Sequence, residues 1–277
     1  MAWPTLLSAV RRNAQGLATV TKFGRNTAVG TSYVPLTAGG LYRTPQVSGA
    51  TRLRVKAGGD AADTAGGAGA RSILLQGVNA AGEFVSEVVP TAGAAAGAAS
   101  ETLFLRLFRF RVYESGTYAT ATTGSHVGAI VIEGVDTVED WAILDAPATI
   151  GFPLGQSLIG VYTVPKNWHA YVTAAAYSIE STKLVDLSFF IREGILATAA
   201  PYKPMRAQKI FGGAENAGDL FLSTPLGPYP EFTDIGFMGK VSQSTADVSV
   251  SFDILLVEGP APVNEYGLQP VGGTIGG

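Results

Sequence analysis

The stretch Asp247-Val248-Ser249-Val250-Ser251-Phe252-Asp253-Ile254-Leu255-Leu256-Val257 alternates apolar and polar side chains along most of its length. In an extended strand successive side chains point to opposite faces, so a period of two marks a half-buried strand. Val248, Val250, Phe252, Ile254 and Leu256 therefore turn inward, and Ser249, Ser251 and Asp253 turn outward. The same reading places Val185, Leu187, Phe189 and Ile191 in one inward row. Further strands are predicted at 157–164, 170–179 and 208–211, with a turn at Pro165-Lys166-Asn167. Short strands at fairly regular spacing with turn signals between them predict a β-sandwich of jelly-roll type over residues 144–258.

Working toward the N-terminus, a first β domain is predicted over 48–135. Thr51-Arg52-Leu53-Arg54-Val55-Lys56 alternates strictly, with Leu53 and Val55 inward. Strands at 71–78 and 83–89 flank the polar turn Asn79-Ala80-Ala81-Gly82 and read as a hairpin. The Gly/Ala-rich stretches 58–69 and 91–99 read as loops. In the strand 103–113, Leu103, Leu105 and Leu107 share a face, whereas Phe108, Phe110 and Val112 keep step with one another. The phase flips between 107 and 108, which is what a β-bulge produces. The alternative is a strand buried on both faces, with Arg106, Arg109 and Arg111 paired at an interface. A strand at 129–135 closes this domain, and residues 136–143 read as a linker. Residues 1–47 show no sustained period beyond a short helix candidate at 6–17, and read as an extended N-terminal arm. The Gly/Pro-rich residues 259–277 read as a C-terminal arm. The expected fold class is all-β, with two β domains flanked by extended arms.

Composition narrows the function classes. Of the 277 residues 47% are hydrophobic and 15% charged, against about 25% charged in an ordinary globular chain. The 35 Gly and 15 Pro favour turns and short strands. With no cysteine, disulfides and thiolate chemistry are excluded. The first apolar stretch is broken by Pro4 and has no basic residue before it, so no signal peptide is expected. No run approaches the roughly 20 apolar residues of a membrane helix, and no membrane association is expected. The net charge of −3 hides an asymmetry: 12 basic and 5 acidic residues up to Arg111 (+7), then 7 basic and 17 acidic (−10). The basic residues are spread singly, without the clusters or interleaved stacking aromatics of a nucleic-acid face. A basic half docking on an acidic neighbouring subunit is the expected use.

Candidate chemistry is sparse. His126 and His169 lack a companion at metal-ligand spacing and are expected to pack or to lie at the surface. Gly155-Gln156-Ser157-Leu158-Ile159-Gly160 has its second glycine one residue too late for a nucleophile elbow and reads as a turn entering a strand. Asp60 and Asp63 lack the acidic ladder of a calcium loop. Asp136, Glu139 and Asp140 form a small acidic cluster that reads as solvated linker more readily than as a glycosidase pair. No catalytic, cofactor-binding or metal-ligating residue is assigned, no cofactor is expected, and the chain is expected not to be an enzyme.

Several stretches resemble a family of virion proteins of tailed bacteriophages of aquatic bacteria. They are Val20-Thr21-Lys22-Phe23-Gly24-Arg25-Asn26, residues 65–77 with Ser86-Glu87, Phe104-Leu105-Arg106, Val161-Tyr162-Thr163-Val164-Pro165, and the closing strand from Asp247 to Val257. The resemblance implies a virion structural protein. The expected role is capsid decoration or stabilisation (a cement protein), through a trimer or other closed oligomer and arm-mediated contacts with partners such as the major capsid protein. A tail-associated adaptor, knob or fibre-base protein is the alternative, and a carbohydrate-binding host-attachment module a further one. The expected location is the virion, assembled in the host bacterial cytoplasm.

Overall fold

The computed structural model describes residues 16–43, 49–118, 124–150, 155–180 and 183–262. In chain order the first strands are β1 (Leu17–Val29), β2 (Val34–Pro35), β3 (Leu53–Val55), β4 (Ala70–Asn79), β5 (Phe84–Pro90), β6 (Phe104–Ser115), β7 (Ile130–Gly134) and β8 (Asp140–Leu144). A single helical turn, α1 (Pro147–Ile150), separates them from β9 (Val161–Thr163), β10 (Trp168–Ile179), β11 (Val185–Arg192), β12 (Arg206–Ala214), β13 (Ala217–Tyr229), β14 (Asp234–Val241) and β15 (Ala246–Glu258). The chain is nearly all-β, as its alternation predicts, and no helix among the described residues is long and apolar enough to cross a membrane.

The strands form four small antiparallel sheets. One has the order β1-β15-β10-β13, and a second runs β12-β11-β14-β2, with β9 also paired to β14. Their inner faces share one core, in which Val172, Phe189, Phe237 and Phe252 are buried together. The Phe237 and Phe252 rings meet across it with centroids 5.5 Å apart. The inward rows read from β11 and β15 all lie in this core. The other two sheets, β3-β7-β8 and β5-β4-β6, enclose a second core containing Leu53, Ile73, Leu75, Phe110 and Ile132. The hairpin read at 79–82 joins β4 to β5, with Asn79 Oδ1 accepting the amides of Ala81 and Glu83.

The smaller sandwich is inserted between β2 and β9, so the larger one is built from both ends of the described chain. This corrects the N-terminal arm. Leu17–Val29 is the edge strand of a sheet, paired with β15 from Leu17↔Val257 to Val29↔Ala246. Alternation missed it because its inward row is Val20, Lys22, Gly24 and Asn26, set opposite Ile254, Phe252, Val250 and Val248. The core at this edge is filled by other backbone: a Cβ at Gly24 would run into the Leu36 carbonyl oxygen and the backbone of Gly160. The linker at 136–143 is also corrected, since Asp140–Leu144 is β8 and pairs with β7. Trp141, Ala142 and Leu144 are all buried, so β8 shows no alternation to read. The helix candidate at 6–17 and the C-terminal arm lie almost wholly outside the described residues.

Strand β6 joins the two cores. Its pairing to β4 passes from Asn79↔Phe104 to Val78↔Arg106, skipping Leu105, and from Gly77↔Leu107 to Gln76↔Arg109, skipping Phe108. Each skip is a bulge, and the second lies where the phase flip predicts it. Leu105 and Phe108 enter the larger core, while Phe104, Leu107 and Phe110 stay in the smaller one. The strand is bulged, and over Phe104–Phe108 it is also buried on both faces; of the three arginines expected to pair at an interface, Arg106 does so, Arg109 is half-buried on the Thr21 carbonyl and Arg111 is exposed. A bulged residue is left unpaired in the ladder, and here Lys22 Nζ donates to the Phe108 carbonyl from β1. Burial holds the Lys22 pKa well below its ordinary value, and the nearby positive charge of Arg109 adds to that.

Gly24→Ala tests the close approach that places β1. Overpacking a fixed contact costs about 1–3 kcal/mol, so the variant is expected to unfold at lower denaturant concentration with an unchanged slope. Ser249→Ala, on the outward face of the neighbouring strand, is expected to stay within about 0.5 kcal/mol of the parent.

Candidate functional site

Of the residues singled out for possible chemistry, Asp60 and Asp63 lie beside the His126 segment, where the Asp63 carboxylate also accepts the Val127 amide, while His169 stands apart from them. His126 lies in the connection before β7, with Nε2 2.9 Å from the Asp145 carbonyl oxygen. His169 lies on β10, with Nδ1 3.0 Å from the carbonyl oxygen of Gly259. The Ser157 hydroxyl accepts the Phe110 amide at 2.9 Å, so this serine extends a sheet edge. The Asp63 carboxylate is buried and accepts the amides of Ala70 at 2.7 Å and Gly128 at 2.8 Å, closing the glycine-rich loop. Asp60 accepts the Ala62 amide at 2.8 Å. Among the described residues no group of three or more His, Asp or Glu could hold a metal ion.

The acidic cluster at 136–140 is divided among separate partners. Asp136 accepts the Thr51 hydroxyl at 2.9 Å, Glu139 lies 3.5 Å from Arg43, and Asp140 lies 2.7 Å from Lys56. These contacts belong to a wider pattern. Arg25–Asp247, Arg43–Glu139, Arg54–Glu133, Lys56–Asp140 and Arg106–Asp234 each join a base from the first 111 residues to an acid beyond them. The docking expected between a basic half and a neighbouring acidic subunit is thus found inside one chain.

The most buried of these pairs sits where the sandwiches meet. Arg106 on β6 donates to Asp234 Oδ2 on β14 from Nε at 3.1 Å and Nη2 at 3.0 Å. The Thr163 hydroxyl donates to Asp234 Oδ1 at 2.6 Å, and the Tyr42 hydroxyl donates to Oδ2. Burial, with the Asp234 charge beside it, pushes the Tyr42 pKa far above its ordinary value, so the phenol stays a donor. Next to it the Arg43 guanidinium stacks 3.8 Å from the Trp141 ring centroid and donates to the Leu105 carbonyl at 3.1 Å. The cavity left at this junction is only about 30 Å³, which is room for a water and not for a substrate. The cluster is a structural joint.

A larger groove, of about 520 Å³, lies on the sheet β1-β15-β10. The pairing register places Phe23, Ser251 and Ala176 on one rung, and Arg25, Ser249 and Ser178 on the next. These are the outward positions, since Val250 and Phe252 face the core. Arg25 holds Asp247 in a two-point contact, Nε–Oδ1 2.9 Å and Nη2–Oδ2 2.5 Å. That hydrogen bond raises the Arg25 pKa. Glu180 lies at the same end of the groove. Sequence reading found Ser249 and Ser251 to be outward, but their neighbours emerged only once β1 and β10 were known to flank β15.

Comparison with known proteins adds weak resemblance alone. No family model and no curated protein matches the chain. Among solved structures it is weakly similar to the infectious bursal disease virus Gx strain structure, at 13% identity and TM-score 0.22, covering 91% of this chain and 72% of that one. The VP2 subviral particle of infectious bursal disease virus matches at 11% identity and TM-score 0.19, covering 87% and 75% respectively.

The joint can be tested by a double-mutant cycle. Arg106→Met and Asp234→Asn each leave a buried partner unsatisfied and are expected to cost about 3–5 kcal/mol. Denaturant unfolding of the double variant should show a loss smaller than the sum of the singles, because the pair is one interaction. Burial also lowers the His126 pKa, outweighing the Asp145 carbonyl. The unfolded chain then binds the extra proton first, so this contribution to stability is complete above about pH 6.5 and is lost as pH falls toward the lowered native value. His126→Asn is expected to flatten the stability profile over that window.

Proposed function

We propose that this chain is a structural component of a virus particle, of the tailed-bacteriophage class its sequence resembles, acting without catalysis as a capsid-surface decoration or cement protein. The observation that carries the reading is a pair of open sheet edges bearing apolar side chains. Strand β12 ends its sheet with Ile210 65% exposed, and β5 ends another with Phe84 53% and Val88 42% exposed. An unpaired edge is a template for another chain, and single-chain proteins normally blunt it. Edges left open with apolar residues fit a protein that is covered on assembly. In this reading the partners are further copies of the chain, in a trimer or other closed oligomer, and particle proteins such as the major capsid protein. The internal neutralisation of the +7 and −10 parts fits the same role, since the folded unit can pack against copies of itself without strong repulsion.

Light scattering on the purified chain, together with its copy number in purified particles, tests this. The expected outcome is a closed oligomer of the 28.6 kDa chain, present in particles in proportion to the capsid subunits. A copy number matching the few-fold symmetry of the tail would move the chain to a tail adaptor, knob or fibre base. Absence from particles would reject the reading. Ile210→Lys is expected to weaken self-association at least about tenfold, equivalent to 1.4 kcal/mol, while the dissociated chain keeps its folded far-UV circular dichroism.

A further inference from the structure

We propose that the groove over β1, β15 and β10 is a binding site for a neutral oligosaccharide. At about 520 Å³ it falls within the roughly 300–1,000 Å³ usual for ligand sites. Its lining selects the ligand class. The hydroxyls of Ser178, Ser249 and Ser251 make no hydrogen bond to another described residue, although the register gathers them within two rungs. The Glu180 carboxylate makes no hydrogen bond to another described residue either; it stands at one end, where its charge acts on Arg25. A sugar presents hydroxyls that both donate and accept, which suits serine hydroxyls beside a carboxylate. Its apolar C–H face needs a flat partner, and the half-buried Phe23 ring, with the Arg109 guanidinium over one face at 5.9 Å from its centroid, offers its other face on the rung with Ser251.

The other ligand classes fit less well. An anion or nucleic acid would need surplus positive charge, yet Arg25 is neutralised by Asp247, and Glu180 adds a negative charge. An extended peptide lying across this face would meet side chains alone, since β15 and β10 are paired on both sides, and could add to the sheet only along the outer edge of β1. The site is independent of the particle role proposed above, since that role concerns the edges at β5 and β12 and not this face.

Calorimetric titration of the full chain with a panel of neutral oligosaccharides (maltohexaose, cellohexaose, laminarihexaose and mannohexaose), with heparin as a charged control, tests the assignment. The expected result is saturable binding of at least one neutral member and none of heparin. Ser249→Tyr, which fills the groove from an outward position, should weaken that binding at least about tenfold while leaving the melting temperature unchanged. Phe23→Ala should weaken it as well; because Phe23 is half-buried, Ser249→Tyr is the deciding variant if that protein melts early. Failure of every neutral member to bind, binding of heparin alone, or undiminished binding by Ser249→Tyr overturns the proposal.

Discussion

The Arg106–Asp234 pair is the contact on which the architecture turns. Two opposite charges removed from water repay their desolvation only with good geometry and with the remaining lone pairs satisfied. Both conditions are met here: the guanidinium reaches the carboxylate with two nitrogens, and the hydroxyls of Thr163 and Tyr42 occupy further acceptor positions. The four residues come from β6, β14, β9 and the segment after β2. The pair therefore joins the inserted sandwich to its host at the place where the chain enters and leaves it. Apolar packing would hold the sandwiches together with less angular definition, whereas this geometry fixes how one is set on the other.

The bulges of β6 at Leu105 and Phe108 are the steric counterpart of that joint. A regular strand offers a face to each side in strict alternation, which would leave β6 serving one core and solvent. Each extra residue turns one apolar side chain, Leu105 or Phe108, toward the neighbouring core. The cost of each bulge is an unpaired backbone group, and a buried one must find a donor. Lys22 meets that need at Phe108. Its position on the inward face of an edge strand makes sense only in the presence of β6. The polar inward row of β1 and the bulged β6 are thus a single solution, reached from segments more than eighty residues apart.

Charge follows the same long-range logic. Five ion pairs cross from the basic first part of the chain to the acidic remainder, so an asymmetry that looks like preparation for a partner is used in folding. What remains for partners is different in kind: open edges with exposed Phe84, Val88 and Ile210, and a hydroxyl-lined groove on the opposite type of surface, a sheet face. An edge and a face suit different contacts, because an edge offers unpaired backbone and a face offers side chains alone.

The sequence alone determined the all-β class, the inward rows of β11 and β15, the β4–β5 hairpin and the bulge at Phe108. Each is local, because the period of two is written by the residues that make the strand. Tertiary structure alone decided that Leu17–Val29 is a strand, that Asp140–Leu144 belongs to the smaller sandwich, and that the first and last parts of the described chain build one unit around an insertion. The physical reason is the same in each case. Alternation marks a strand only where one face meets an apolar core and the other meets water. Gly24 meets backbone, Lys22 meets a bulged carbonyl, and β8 buries adjacent residues, so those strands carry no periodic mark. The groove was hidden likewise: Phe23, Ser251 and Ala176 lie far apart in the chain, and only the pairing register brings them onto one rung.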